Sequence, residues 1–217
     1  MSVLASAVML ESAAVYLNDA AQADWTNTVL LPLLKKANIE MGQEFRVNGI
    51  DTLKKAQSPV TSVEIDDTEL DEYPSDFVEP ISLFERTLSS SEYWGSPITR
   101  VDNVDKDIRL SQSIIQWSWQ NNKIYINPPQ TNRETYLVYI RNITAIADAS
   151  TAIEFDECKT FLAARTAQLA YLGLGNNATR ATELSDEVER SKDRLIRYML
   201  NNQQGLGVRR RGFKGLR

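Results

Sequence analysis

The amino-acid sequence predicts an α+β protein: a helical bundle formed by the N- and C-terminal helices, an inserted small antiparallel β domain, and an extended C-terminal arm. Three observations carry that prediction. Apolar residues recur at helical spacing towards both ends of the 217-residue chain. Six of its seven prolines fall between residues 59 and 129, among short alternating runs. The last thirteen residues lose all periodicity. The expected segments are N-terminal helices over 1–58, a β region over 59–150, C-terminal helices over 151–204 and a basic arm over 205–217.

The first helix rests on Val3, Ala7, Leu10, Ala14 and Leu17, whose 4-3-4-3 spacing puts them on one face, and Asn18-Asp19 stops it. Thr26 or Asn27 caps the second, in which Leu30, Leu33, Leu34, Ala37, Met41 and Phe45 form an amphipathic stripe. Pro32 falls within its opening turns, where a missing N–H costs least, and Asn48-Gly49 closes it.

Strand signals follow at Val60 to Ile65, Ile81 to Leu88, Ile108 to Trp119, Lys123 to Asn127 and Thr135 to Arg141. Gln120-Asn121-Asn122 reads as a hairpin turn. Ile124 and Ile126 share one face opposite Tyr125, and Tyr136, Val138 and Ile140 alternate with Leu137 and Tyr139.

Phe155, Cys158, Phe161, Leu162, Leu169 and Leu172 mark the next helix, broken by Gly173, Gly175 and Asn176-Asn177. In the last helix Ala181, Leu184, Val188, Leu195 and Met199 form the apolar face, and the opposite face is charged. The arm, Gly205 to Arg217, holds four glycines and five basic residues and has too little apolar content to fold alone.

Composition narrows the chemistry. The absence of histidine removes Ser-His and Cys-His nucleophile pairs, imidazole bases and His-ligated zinc. One cysteine, Cys158, allows neither a thiolate metal cluster nor an internal disulfide. It lies on an apolar helical stripe and reads as a buried structural thiol. No metal, no cofactor and no catalytic residue are expected.

The net charge of −5 opposes general nucleic-acid binding; without the arm the body holds 19 basic and 29 acidic residues, about −10, against +5 on the arm. The apolar N-terminus has no basic residue before Lys35, unlike a secretory signal, and no stretch approaches the roughly 18 apolar residues of a membrane span. A soluble chain made in a cytoplasm is the expectation.

Three further features could carry function. The acidic run of Glu64, Asp66, Asp67, Glu69, Asp71, Glu72, Asp76 and Glu79 reads as a solvated loop, with a divalent-ion site as the sharper alternative. Trp94, Trp117 and Trp119 could form a sugar platform for a carbohydrate-active protein, but Trp117 and Trp119 alternate onto one strand face and read as core. Arg209, Arg210, Arg211, Phe213 and Lys214 suit charge-assisted docking with an aromatic anchor, with nucleic-acid binding as the alternative.

Taken in order, several pieces of the chain resemble the head-to-tail adaptor, or head-completion connector, proteins of tailed bacteriophages. The early pieces are Leu17-Asn18-Asp19-Ala20, then Trp25-Thr26 ahead of Leu30-Leu31-Pro32, and Tyr73-Pro74-Ser75-Asp76-Phe77 leading into a strand. The later ones are Trp117-Ser118-Trp119 followed by Ile124-Tyr125-Ile126-Asn127-Pro128-Pro129, then Phe161-Leu162-Ala163-Ala164-Arg165, and Gln203-Gln204 running into the arginine-rich end. The resemblance spans essentially the whole chain. It implies a homo-oligomeric, dodecameric ring in the virion neck, below the portal protein ring. That ring would continue the channel for double-stranded DNA, without sequence-specific binding, and would present a surface to the downstream tail or tail-tube protein. It also implies that Gly205 to Arg217 reaches the portal, with Arg209, Arg210, Arg211, Phe213 and Lys214 as docking residues.

Overall fold

A computed structural model describes residues 2–50, 53–57, 61–70, 72–88, 93–104, 112–173 and 177–203. The protein is α+β, and the chain divides into two compact units. One contains the described residues up to Ile50 and from Ile143 onward; the other runs from Leu53 to Asn142.

In the first unit, helix α1 (Ala5–Glu11) continues as a π-turn over Ser12–Tyr16, in which Leu17 N–H reaches back to the Ser12 carbonyl at 3.1 Å. The chain then reverses around Asp19, whose carboxylate accepts from the N–H groups of Ala23, Asp24 and Trp25 at 3.0, 2.9 and 2.8 Å. Those backbone bonds, that of Trp25 foremost, hold its pKa below the ordinary carboxylate range.

Helix α2 (Asn27–Val47) starts after Thr26 and ends in a Schellman turn. Gly49 takes the left-handed conformation at φ 65°, its N–H meets the Arg46 carbonyl, and Ile50 N–H meets the Phe45 carbonyl at 2.9 Å. A 3-10 turn (Asp156–Cys158) leads into α3 (Lys159–Gly173), and α4 (Ala178–Gln203) follows with Asn177 Oδ1 accepting from Arg180 N–H.

Helix α3 packs against α1, α2 and α4. It buries Phe161, Leu162, Ala163, Ala164, Thr166, Ala167, Gln168, Leu169 and Ala170, which is nearly its whole circumference. Its alanines let the neighbouring helices approach closely. Gly42 on α2 does the same for another segment: a Cβ there would lie 2.9 Å from Ile143 Cγ2.

Two stripes read from the sequence differ in the structure. In α1 the buried residues are Ala5, Val8, Met9, Ser12 and Ala13, whereas Leu10 is 49% exposed and Val3, Ala7 and Ala14 are only partly covered. The segment is apolar on nearly every side, so spacing alone did not fix which face turns inward. In α3 Leu172 is exposed, because it lies in the last turn of the helix.

In the second unit β7 (Arg133–Arg141) pairs antiparallel with β3 (Phe77–Thr87) along its length, and with β1 (Lys54–Ala56) and β2 (Thr61–Val63) over shorter stretches. The other sheet contains β4 (Thr99–Arg100), β5 (Gln116–Gln120) and β6 (Lys123–Ile126). Strands β5 and β6 form the expected hairpin, with Asn121 and Asn122 at φ 51° and 61°, the left-handed pair of a type I′ turn.

The sheets are not wholly antiparallel as expected: β4 runs parallel to β5. A two-residue strand has no alternation from which direction could be read, and its place is set by Ile98 N–H on the Leu83 carbonyl and Val101 N–H on the Trp117 carbonyl. Of the expected Ile108 to Trp119 run, the strand is confined to the end, and residues 105–111 lie outside the described residues. The two short strands β1 and β4 carried no sequence signal.

Candidate interaction site

The arm residues Arg209, Arg210, Arg211, Phe213 and Lys214 lie outside the described residues, as does Asp71. The structure does describe the helix that leads to the arm, up to Gln203. That helix is pinned by polar bonds as well as by its apolar face. Gln168 of α3, 6% exposed, donates to Ser185 Oγ at 2.8 Å and to the Ala181 carbonyl at 3.3 Å. Its amide oxygen accepts from Arg165, which also pairs with Glu40 of α2 at 2.7 Å. Lys192 of α4 pairs with Glu189 at 2.7 Å and reaches Glu44 of α2 at 3.8 Å. The Glu189 bond, outweighing partial burial, raises the Lys192 pKa. Arg165, Glu40, Glu44, Glu189 and Lys192 line a small charged cleft among α2, α3 and α4. Near the end of α4, Tyr198 donates to Glu157 at 3.0 Å.

In the β unit, Glu64, Asp67, Glu69 and Glu72 line an open polar cleft beside β2. Asp67 accepts from Glu64 N–H at 2.7 Å, and Lys123 pairs with Glu69 at 2.9 Å. Among the described residues no group of three or more histidines, cysteines or acids is placed to hold a metal ion. Asp76 does different work: it bonds Lys55 Nζ at 2.7 Å and the Tyr139 hydroxyl at 2.8 Å.

The tryptophans of β5 belong to the core. Trp117 is 1% exposed and donates its indole N–H to the Ile98 carbonyl at 3.0 Å. Trp119 lies edge-on to Phe77 and Tyr73. Trp117 has no exposed face for a sugar ring, and Trp119 is partly buried against the same cluster. Trp94 stacks on Tyr136, with the Arg86 guanidinium 4.5 Å from its ring centre. Cys158 is fully buried, and desolvation, followed by the nearby Glu157, pushes its thiol far above its ordinary pKa, so it is no nucleophile. Among the described residues no helix is long and apolar enough to cross a membrane.

Two outward surfaces of the helical unit escaped the sequence reading, which treated apolar stripes as core. Leu10 of α1, Leu4 just before it and Val15 in the π-turn are exposed at 49, 42 and 65%. Helix α2 exposes Ile39 and Val47 at 59 and 84%. The signal was present in α1 as a second apolar stripe, which no single buried face could absorb.

The exposed apolar residues of the helical unit are surfaces that another protein could cover. The sequence profile of the SU10 adaptor protein family matches residues 6–211. The chain belongs to that family. SU10 adaptor proteins are phage head-to-tail adaptors, so the sequence resemblance and the family match agree. No curated protein matches the chain. For this adaptor the match covers both compact units and extends through Arg209, Arg210 and Arg211. It ends before Phe213 and Lys214.

Proposed function

We propose that this adaptor forms a ring, dodecameric by the family resemblance, below the portal, where it extends the DNA channel and offers the tail its attachment surface. The observation that carries the reading is the family match over residues 6–211. The helices at the two ends of the chain supply the bundle of the ring wall, with the β region as an insertion available to the tail or tail-tube protein. Residues 205–217 dock on the portal through Arg209, Arg210, Arg211, Phe213 and Lys214.

The charge distribution supports the same role. A body of about −10 repels DNA phosphates, and each phosphate left un-neutralised keeps the passing duplex from being held. Twelve basic arms make individually weak portal contacts multivalent. The function is structural.

The test is co-sedimentation with purified portal rings from the same genome, using the full chain and a chain ending at Gln204. The expected result is saturation near one copy per portal subunit, with binding lost or much weakened in the shorter chain. Binding by both forms would move the contact onto the folded body. Binding by neither would overturn the adaptor reading.

A further inference from the structure

We infer that neighbouring copies in the ring meet through the outward face of α1 on one copy and the outward face of α2 on the next. The inference rests on the ring reading and identifies the two surfaces that make the contact.

The α1 surface is an open apolar groove lined by Val3, Leu4, Ala7 and Leu10, with Gln22 and Lys159 at its edge. Its one basic residue, Lys159, is already paired with Glu11 at 2.6 Å. The surrounding chain is acidic. Residues 2–34 and 143–158 contain Glu11, Asp19, Asp24, Asp148, Glu154, Asp156 and Glu157 and no Lys or Arg. The second of these segments runs beside the start of α1: Val3 N–H donates to Asp156 at 2.7 Å, and Ala5 and Ser6 donate to the carbonyls of Thr151 and Ala149. Asp156, bonded to Val3 N–H, gives the apolar groove an acidic border on that side, and the groove's one cation is neutralised.

The α2 surface is the complement. Pro32, Lys36, Ile39, Gln43 and Arg46 follow a 4-3-4-3 spacing on the side opposite the buried Leu34, Ala37, Met41 and Phe45. Lys35 and Val47 flank that stripe, and Lys35, Lys36 and Arg46 form no ion pair among the described residues. The acids of the same helix, Glu40 and Glu44, turn instead to Arg165 and Lys192. Apolar residues thus sit among uncompensated positive charges.

In α1 only Ala7 and Leu10, three residues apart, lie on this side of the helix, next to the exposed Leu4 that precedes it, a short apolar patch that the α2 stripe can cover. Apolar surface would meet apolar surface, and the acidic border would meet Lys35, Lys36 and Arg46, the arrangement of an interface with an apolar centre and polar rim. Because α3 is buried almost all round, the helices covering it lie on different sides of it. Helix α1 also packs against α2, so one helical unit carries both surfaces, and the contact of one surface with the other on the next copy is heterologous, as a closed ring requires.

Charge reversal tests the pairing. Leu10→Lys with Asp24→Lys makes the α1 surface basic; Lys36→Glu with Arg46→Glu makes the α2 surface acidic. These are outward side chains, and retained helical circular dichroism confirms the fold. Each variant alone should lose self-association, read by sedimentation velocity, by at least about 100-fold, because like charges face each other. Mixing the two variants should restore large assemblies, since each contact then joins opposite charges in alternating copies. Failure of the mixture to assemble, or assembly of either variant alone, overturns the inference.

A second chain, Leu10→Cys with Ile39→Cys, is oxidised on portal rings. It should give a ladder of covalent oligomers, to which the buried Cys158 adds nothing. A wild-type chain that stays monomeric in solution, together with no ladder on the portal, also overturns the inference. Portal co-sedimentation is scored separately. Portal binding without the ladder strikes this contact and spares the adaptor role; self-association without portal binding does the reverse.

Discussion

The helical unit and the β unit solve the same packing problem with different side chains. Around α3 the core has Phe45 and Phe161 but is closest packed at small residues, with Ala163, Ala164, Ala167 and Ala170 fully buried and Gly42 pressed against Ile143. The β unit is built round Trp117, Tyr139, Phe77, Tyr73 and Trp119, and three of these aromatics hold polar bonds. Trp117 donates to the Ile98 carbonyl, Tyr139 to Asp76, and the Tyr73 hydroxyl accepts from Ile124 N–H at 2.9 Å. One unit is therefore sensitive to added volume. The other is sensitive to removed volume and to broken polar bonds.

Spectroscopy can separate the two. Trp94, Trp117 and Trp119 lie in the β unit and only Trp25 in the helical one, whereas the α-helices all belong to the helical unit. Tryptophan fluorescence and ellipticity at 222 nm thus report different regions. The largest effect is expected from Trp117→Ala, which removes a fully buried indole: about 3–5 kcal/mol. The fluorescence transition should move further than the 222-nm transition, and equal displacement would break the comparison.

Next comes Gly42→Ala. A new Cβ 2.9 Å from Ile143 Cγ2 forces a shift that should cost about 1–3 kcal/mol, despite the gain in helix propensity. Removing the obstacle sharpens the point: Gly42→Ala should cost little in an Ile143→Ala background, and full additivity in denaturant unfolding would refute the steric explanation.

The Lys55–Asp76–Tyr139 group gives a smaller, pH-dependent effect. Burial, the largest single influence on Asp76, pushes its pKa up, but the bonds from Lys55 and Tyr139 together outweigh it and hold the carboxyl below its ordinary range. A carboxyl depressed by folding contributes stability above its unfolded pKa and loses that contribution as pH falls through the folded value, so the loss falls below about pH 4. Tyr139→Phe should cost about 1 kcal/mol at neutral pH and flatten this acid limb in fluorescence-monitored unfolding. An unchanged limb would show that Tyr139 has no part in it. Smallest of all is Glu183→Gln, which breaks the exposed, solvent-screened Arg180–Glu183 pair and should leave the 222-nm transition essentially where it is; a clear displacement would show that this surface pair matters to the fold.

Much of the fold was legible in the sequence because local chemistry decides it. Helix α2 starts after Thr26 and stops at Asn48-Gly49, since a left-handed glycine is what a Schellman turn needs. Asn121-Asn122 makes the hairpin because asparagine tolerates positive φ at both turn positions. The apolar face of α4, Ala181 to Met199, is buried as its spacing indicated, because charges occupy the remaining positions and leave one possible orientation.

The candidate site was less legible. Sequence composition located a basic arm and set its charge against an acidic body, and the family profile covers most of that arm. It could not orient α1, where two apolar stripes compete and only the tertiary packing chooses Val8 and Met9 over Leu10. Nor could it show that Glu40 and Glu44 turn to Arg165 and Lys192, leaving Lys35, Lys36 and Arg46 with no ion pair among the described residues. The sequence by itself determined the caps, turns, periods and net charges, which depend on neighbours a few positions away. Tertiary structure decided which apolar faces are hidden and which charges are neutralised, because both depend on partners more than a hundred residues distant, as between Glu40 and Arg165.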